Sequence, residues 1–226
     1  MLKIQTFTIT DFQQNCRLLI DDTTNQSVLL DAGGESQYLL DAVKESGTEL
    51  QSLVLTHSHI DHCGGVAGFL RGFDGELPLF GHQIESDMRA GVGSRQAVLF
   101  GLGGGGYEDC PEPTQYLEDG DELQVGSFTA TALFTPGHSP GHLAFYFENV
   151  DWNLDGREGS GPLLIAGDAI FNGSIGRTDL PGGNHAQLIE SIKTKLLTLP
   201  DETLVLCGHG PETQIGHERA TNPFLQ

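Results

Sequence analysis

The sequence predicts a single domain of the α/β or β-rich class, and three observations carry that prediction. Its 226 residues are long for one average domain and short for two, and no linker-like stretch divides them. Apolar runs of strand length recur along the chain, joined by short polar turns, whereas segments with helical periodicity are fewer. A hydrophobic content of 38% with 12 phenylalanines excludes wholesale disorder.

Residues 1–90 are predicted to form mostly strands. These are expected at residues 3–9, 16–20, 27–33, 50–56 and 77–82. The polar stretch 21–26 predicts a hairpin connection. Apolar residues within 36–45 have helical spacing, and a second helix is expected over residues 64–73.

The C-terminal part begins with an irregular stretch, residues 91–114, whose glycine-rich portion 101–113 is not expected to hold a regular element. A loop this long is usually functional or mobile. A hairpin is then expected over 121–138, strands at 142–148, 162–168 and 203–210, and a polar surface loop at 151–161. Residues 186–199 predict the best helix, capped by Asn184 and ended by Pro200.

The charge balance limits the partners. The chain has 31 acidic and 11 basic residues, a net charge of −20, which disfavours binding to nucleic acid and to anionic membranes. No apolar run approaches membrane-spanning length, and the first residues carry no secretory signal. The four cysteines lack CxxC spacing, so free thiols in the cytoplasm are expected. Nothing in the sequence specifies an oligomeric state.

Four apolar strands each end on a residue that can bind a metal. These residues are His57, His138, Asp168 and His209. Side chains at the C-terminal ends of several strands can converge on one rim of a sheet. The pattern therefore predicts a shared site at that rim.

The run THSHIDHCGG at 56–65 holds His57, His59, Asp61 and His62. A His-x-His pair alone occurs about as often in a solvated loop as in a metal site. The Asp and His that follow, the apolar strand before and the two glycines after favour a strand-to-helix loop that curls around a metal. Imidazole and carboxylate ligands suit zinc, iron or manganese.

This run resembles the signature of the metallo-β-lactamase-fold hydrolases. Three further motifs are similar to those of the same family and occur in its order: TPGHSPGH at 135–142, IAGDAIF at 165–171 and LCGHGPET at 206–213. The resemblance covers essentially the whole chain. It implies an αββα sandwich, two mixed β-sheets flanked by helices, formed by residues 1–226 as one domain.

The resemblance also implies two metal sites and their ligands. One metal is expected on His57, His59 and His138, the other on Asp61, His62 and His209, with Asp168 bridging both. Two divalent ions are expected, Zn²⁺ first, with iron or manganese as alternatives. Asp61 and Asp168 are also the predicted catalytic residues, beside a water or hydroxide whose pKa two cations would lower.

Other polar residues have weaker predicted roles. Asp31 resembles an acid that orients a metal-binding loop, with turn capping as the alternative. Arg177 is predicted to bind substrate, while Arg89 and Arg95 flank the irregular stretch; a surface salt bridge is the alternative for each. His142 is assigned a structural role in preference to a supporting role at the metal site.

An Asp at position 168 resembles the glyoxalase II, lactonase, phosphodiesterase and persulfide dioxygenase branches of the family rather than the classical zinc β-lactamases. Residues 172–183 are similar to both small glyoxalase II-like proteins and persulfide dioxygenases, and 215–225 to the small bacterial glyoxalase II-like group, which resembles hydroxyacylglutathione hydrolases. Typical glyoxalase II continues into a C-terminal helical domain that helps to hold glutathione. We expect no such domain here and therefore loose specificity for glutathione.

The resemblance leads to a first hypothesis: hydrolysis of a small-molecule thioester such as an S-acyl glutathione by a metal-bound hydroxide. A thiolate leaves without a strong general acid. The alternative is a mono-iron persulfide dioxygenase that uses His57, His59 or His138 with Asp168. A lactonase, a β-lactamase and a non-enzymatic metal-binding module rank lower, since seven convergent ligands with an open position are more typical of an enzyme.

Overall fold

The computed structural model describes residues 1–102 and 107–226. The strands are β1 Leu2–Ile9, β2 Gln14–Asp21, β3 Gln26–Leu30, β4 Glu49–Val54, β5 Leu79–Gly81, β6 Gln115–Tyr116, β7 Glu122–Val125, β8 Phe128–Phe134, β9 Leu143–Leu154, β10 Arg157–Gly167, β11 Ile170–Phe171, β12 Ser174–Ile175, β13 Leu204–Cys207 and β14 Thr213–Gln214. The helices are α1 Ser36–Ser46, α2 Ile60–Cys63, α3 Val66–Gly72, α4 Ser86–Arg89, α5 Ala97–Leu99, α6 His185–Ser191 and α7 Ile215–Thr221.

Hydrogen bonds connect the strands in the order β14-β13-β10-β9-β1-β2-β3-β4-β5-β6. In addition, β8 pairs with both β9 and β7. β9 joins two halves of this network. Its first residues pair with β8, whereas Trp152–Leu154 pair in parallel with β1. The connected strands include both parallel and antiparallel pairs, so each half is a mixed sheet.

Side chains that alternate along the strands sort into three buried clusters, which lie between four layers. In β2, Leu18 faces the cluster that contains Phe69 of α3, while Leu19 faces the central cluster between the two sheets. In β10, Leu163 faces that central cluster, and Leu164 packs with α6. Because successive side chains point to opposite faces, each sheet is buried on both sides. The predicted αββα sandwich is confirmed.

The predicted polar loop at 151–161 is wrong, because β9 and β10 continue through it as a hairpin. Glu158 and Asn153 are paired in register, and the turn is Asp155–Gly156, where both residues have positive φ. Trp152 packs against the central cluster. The hairpin therefore has one apolar face that is held by the core, while its other face is polar. The many polar residues of 151–161 hid the alternation of inward and outward side chains that is typical of a strand.

The predicted irregular stretch also contains helical turns. A π-helical turn, Val92–Gln96, leads directly into α5, and Val92 and Ala97 anchor both turns in the core. Residues 103–106 of the same prediction lie outside the described residues. Near the C-terminus, α7 was not predicted from the sequence; Ile215 seats it against α6 and its neighbours.

The predicted helix at 186–199 is confirmed, with a change of winding. α6 continues into a π-helical turn, Ile192–Leu196. The Asn184 side chain accepts a hydrogen bond from the Gln187 backbone N–H at 3.1 Å, which is the predicted cap. Within the ranges described above, no helix combines the length and apolar character needed to cross a bilayer. A cytoplasmic location and the absence of nucleic-acid and membrane partners stay predictions.

Candidate metal centre

The four strand ends that the sequence singled out do meet at one rim. His57 follows β4, His138 follows β8, Asp168 follows β10 and His209 follows β13. β10 and β13 are parallel neighbours, so their last residues reach the same edge. Among the described residues, this rim holds two mutually close groups of potential metal ligands, and Asp168 is close to His57 and His62 from these groups.

The first group is a triangle of ring nitrogens. His57 Nε2 lies 3.0 Å from His59 Nδ1 and 3.1 Å from His138 Nε2, and the last two atoms are 2.9 Å apart. An ion at the usual zinc–nitrogen distance of about 2.0–2.1 Å from all three atoms fits over the face of such a triangle. The three residues therefore fit a metal ion.

The hydrogen bond on the far side of His138 fixes which of its nitrogens is free. His138 Nδ1 lies 2.8 Å from the backbone oxygen of Arg177. Because a carbonyl only accepts, Nδ1 carries the proton and Nε2 keeps its lone pair for a metal. The Arg177 side chain is exposed and pairs with Asp179, Nε to Oδ1 at 2.7 Å. A substrate-binding role for Arg177 stays a prediction.

The second group is Asp61, His62 and His209. His209 Nε2 lies 3.1 Å from Asp61 Oδ2 and 3.4 Å from His62 Nε2. His209 Nδ1 faces the Phe12 backbone oxygen at 3.1 Å, so its Nε2 is likewise the atom left for a metal. Two imidazoles and a carboxylate at this spacing also fit a divalent ion.

Asp168 lies between the two groups. Its Oδ2 is 3.5 Å from His138 Nε2 and 3.4 Å from His209 Nε2, and its Oδ1 is 3.3 Å from His62 Nε2. Oδ1 is buried without a hydrogen-bond partner in the described structure, which a bound cation would remedy. β13 can pass this closely because residue 208 is glycine: a Cβ there would lie 2.0 Å from Asp168 Oδ1.

Asp31 holds both arms of the His-rich loop. Its Oδ1 accepts the Thr56 backbone N–H at 2.7 Å, and its Oδ2 lies 2.9 Å from His62 Nδ1. The Thr56 hydroxyl donates to Oδ2 at 2.8 Å, so its oxygen is free to accept from His57 Nδ1 at 3.1 Å. One carboxylate therefore sets the free nitrogens of His57 and His62. These are the contacts expected of an acid that orients the loop.

The rim is electrostatically divided. Burial lowers the pKa of His59 to about 3, so at neutral pH this ring is uncharged and one of its nitrogens keeps a free lone pair. Burial also lowers the pKa of His209, but Asp168 and Asp61 outweigh burial and raise it to about 9. Burial raises the pKa of Asp168, but His62 and His209 outweigh burial and bring it well below its ordinary value. The ionised carboxylates and the neutral His59 are suitable donors for a divalent cation, whereas His209 would have to release a proton when a cation binds.

Two residues at the rim have contacts that the sequence did not reveal. His142 accepts the Asp168 backbone N–H, so the supporting role, which the sequence ranked below a purely structural one, describes its contact. Gln96 Oε1 accepts the Ile60 backbone N–H at 2.9 Å, and its Nε2 donates to Ser58 O at 2.9 Å, so it brackets His59. No local pattern in the irregular stretch could have identified Gln96.

Arg89 is a structural residue. It is fully buried, and its guanidinium donates to the His82 backbone oxygen at 3.0 Å and to Glu112 Oε2 at 2.8 Å. Of the two sequence alternatives for Arg89, the salt bridge is the one found, because Arg89 Nη2 pairs with the exposed Glu112, although the guanidinium itself is buried. Arg95 remains exposed beside a cavity next to His59.

Comparison with known proteins identifies the family. The profile of the metallo-beta-lactamase superfamily matches residues 9–152 and 156–209. The chain belongs to this superfamily. Membership and the His/Asp cluster together imply a metallo-hydrolase superfamily enzyme that uses divalent metal ions at this rim.

Two curated relatives match nearly end to end. The probable metallo-hydrolase YqgX of Bacillus subtilis is 42% identical over 215 residues, which are 94% of this chain and 92% of YqgX. Hydroxyacylglutathione hydrolase GloC of Haemophilus influenzae is 36% identical over 225 residues, 99% of this chain and 98% of GloC.

Three solved structures are also similar. The B3 metallo-beta-lactamase BLEG-1 has a TM-score of 0.81 at 32% identity and 99% coverage of both chains. TTHA1623 in a di-iron-bound form has a TM-score of 0.81 at 36% identity, covering 97% of this chain and 99% of its own. ETHE1 from Myxococcus xanthus has a TM-score of 0.72 at 25% identity, covering 97% and 83%.

Proposed function

We propose that this protein is a binuclear metal-dependent hydrolase that cleaves a small-molecule thioester, such as an S-acyl glutathione. The observation that carries the proposal is the position of Asp168, whose Oδ2 lies within 3.5 Å of His138 Nε2 and 3.4 Å of His209 Nε2. One carboxylate can therefore serve both ligand groups. The similarity to hydroxyacylglutathione hydrolase GloC supports a thioester as substrate.

In this proposal the ligands divide as the resemblance implied. The first ion would be held by His57, His59 and His138, the second by Asp61, His62 and His209, and Asp168 would serve both. When bound, two divalent ions lower the pKa of water and polarise a carbonyl oxygen. Zinc is our first choice of metal, and the di-iron form of TTHA1623 keeps iron as the alternative.

The chain's own residues supply orientation and proton acceptors. The backbone oxygens of Arg177 and Phe12 hold the Nδ1 protons of His138 and His209 on the side away from the rim. Asp61 and Asp168 place carboxylate oxygens at its centre, where they can accept a proton from water. A departing thiolate needs little protonation, so no dedicated acid is required.

A second candidate function is a mono-iron persulfide dioxygenase. The similarity to ETHE1 and the likeness of residues 172–183 to that branch favour it. A dioxygenase consumes oxygen and needs one metal, whereas the proposed hydrolase needs two metals and no oxygen. The two functions therefore differ in two independent measurements.

The test is an anaerobic assay of thiol release from S-lactoylglutathione, run beside a cephalosporin and beside glutathione persulfide with oxygen uptake recorded. We expect close to two transition metals per chain and thiol release that is faster than cephalosporin cleavage and independent of oxygen. Oxygen consumption with the persulfide, one iron per chain and no anaerobic thiol release would overturn the hydrolase proposal. Faster turnover of the cephalosporin would assign the protein to β-lactam hydrolysis instead.

A further inference from the structure

A cavity of about 550 Å³ opens beside the metal centre, and His59 belongs to both. Nδ1 of this histidine faces the nitrogen triangle, 2.9 Å from His138 Nε2, while the ring also lines the cavity. A molecule whose reactive bond lies at the triangle can therefore extend directly into the cavity. None of the functions considered above assigns an occupant to this space.

The cavity wall is mainly apolar. Its apolar lining residues include Ile84, Met88, Leu99, Phe100 and Leu180. Ile84 and Leu99 are each 57% exposed, so both present apolar surface to the opening. Large exposed aliphatic side chains that cluster around an opening favour an apolar ligand, since covering them removes that surface from water.

The wall offers little to a charged peptide. Among the described residues that line it, Asp87 and Arg95 are the acidic and basic side chains, and Arg95 Nη2 is already hydrogen-bonded to the Asp87 backbone oxygen. The γ-glutamyl and glycyl ends of glutathione carry two carboxylates, which this wall does not match. The ligand part that fits is uncharged.

The apolar wall is fixed to the metal-ligand loops. Gln96 joins its helical turn to Ser58 and Ile60 on either side of His59. Glu85, buried next to Ile84, accepts hydrogen bonds from the Gly141 backbone N–H at 3.0 Å and from the Ser139 hydroxyl, in the loop that carries His138. The cavity is therefore held at a set distance from the proposed reaction centre.

We infer that this cavity is an acyl pocket, formed by Ile84, Met88, Leu99, Phe100 and Leu180, and that the substrate's acyl group is an apolar chain or ring. The inference rests on the proposed thioesterase function and narrows its substrate class. The thiol portion then extends away from the pocket, toward solvent. Selectivity comes from burial of the acyl group and falls when the wall is made polar.

The kinetic test uses the metal-loaded enzyme and thioesters of one thiol with unbranched acyl groups of increasing length. We expect kcat/KM to rise about fourfold for each methylene that enters the pocket, the ratio that corresponds to burial of one CH₂. Leu99→Asn and Ile84→Asn should flatten this dependence, whereas the control variant should keep the wild-type dependence. Val98→Asn is the matched control, because Val98 is a neighbouring residue, 69% exposed, and is not among the described lining residues.

A binding test separates this inference from the proposed function. Octan-1-ol, which has no carboxylate to bind a metal, is titrated into wild type and the same three variants by calorimetry. Saturable binding that weakens at least fivefold in Leu99→Asn and not in Val98→Asn supports the pocket even if no thioester is cleaved. Thioester cleavage with no dependence on chain length, or the absence of specific octanol binding, would overturn the pocket and leave the hydrolase proposal standing.

Discussion

His142 accepts the backbone N–H of Asp168 on its Nε2 at 3.0 Å, and its Nδ1 lies 2.8 Å from Thr135 Oγ1. Because a backbone N–H only donates, Nε2 keeps its lone pair, and the ring donates from Nδ1 to the hydroxyl. Burial holds the pKa of His142 well below its usual range, so the ring stays neutral. This histidine sits among the candidate ligands, yet its two nitrogens are used to position Asp168 and to anchor itself.

His142→Ala should weaken metal binding without removing a ligand. The substitution leaves the Asp168 N–H without its acceptor, and changes of this kind typically cost about 10–100-fold in metal affinity. Competition with a chromophoric chelator measures the affinity, and circular dichroism checks the fold. His142→Gln, whose Oε1 can accept the same hydrogen, should recover part of the loss. Wild-type affinity in the folded Ala variant would mean that other contacts position Asp168.

Asp168→Asn and His209→Ala should differ in how many ions they release. Asp168 approaches both ligand groups, so its loss should deplete both, whereas loss of His209 should empty mainly the second. Metal analysis after dialysis gives the stoichiometry. His217→Ala is the control, since His217 is exposed on α7 and contacts Thr221. Equal loss of a single ion in both variants would contradict the bridging position.

Gln96→Leu should weaken metal binding by the first group, although Gln96 is not one of its ligands. The change removes hydrogen bonds to Ile60 N and Ser58 O, the peptide groups that flank His59. Leaving these partly buried groups unpaired costs on the order of 1–3 kcal/mol, so metal affinity at this group should fall about tenfold or more. Gln187→Leu, on the exposed face of α6, is the matched control. Unchanged affinity in Gln96→Leu would show that the loop holds His59 by itself.

Asp21 should make stability depend on pH in the acid range. Its carboxylate is buried and accepts from the Ser127 N–H at 2.6 Å and the Thr23 N–H at 2.8 Å. Burial raises the pKa of Asp21, but these hydrogen bonds outweigh burial and bring it below its ordinary value. The carboxylate therefore stabilises the fold above about pH 4 and loses this effect as pH falls through its lowered pKa.

The variant Asp21→Asn tests this sign. Near pH 7 it should be less stable than wild type by about 1–3 kcal/mol, the usual cost of losing hydrogen bonds to a charged group. The difference should shrink as the pH falls below about 4. Urea unfolding at several pH values gives the comparison, with the exposed Asp74→Asn as control. A difference that stays constant with pH would show that the charge of Asp21 does not contribute.

The strand ends that meet at the rim could be predicted from local patterns, whereas the αββα sandwich and the division of the ligands were implied by the resemblance of four motifs to the metallo-β-lactamase-fold hydrolases. Apolar runs of strand length are local signals, and four of them end on His57, His138, Asp168 and His209. The sheet places these strand ends at one rim, independently of the conformation of the connecting loops. The helix cap at Asn184 could also be predicted from the sequence, because a cap depends on a few consecutive residues.

The contacts between these residues depend on segments that are distant in the sequence and could not be predicted from it. The β9–β10 hairpin through 151–161 exists because Trp152 has a central core to pack against, which composition does not reveal. Which nitrogen each histidine offers depends on partners far away in the chain, such as Phe12 O for His209. Gln96 is distant from His59 in the sequence, and the fold brings it close enough to accept a hydrogen bond from the neighbouring Ile60 N–H. Periodicity and spacing report local geometry, whereas hydrogen-bond partners at a rim are set by packing between segments that no short pattern connects.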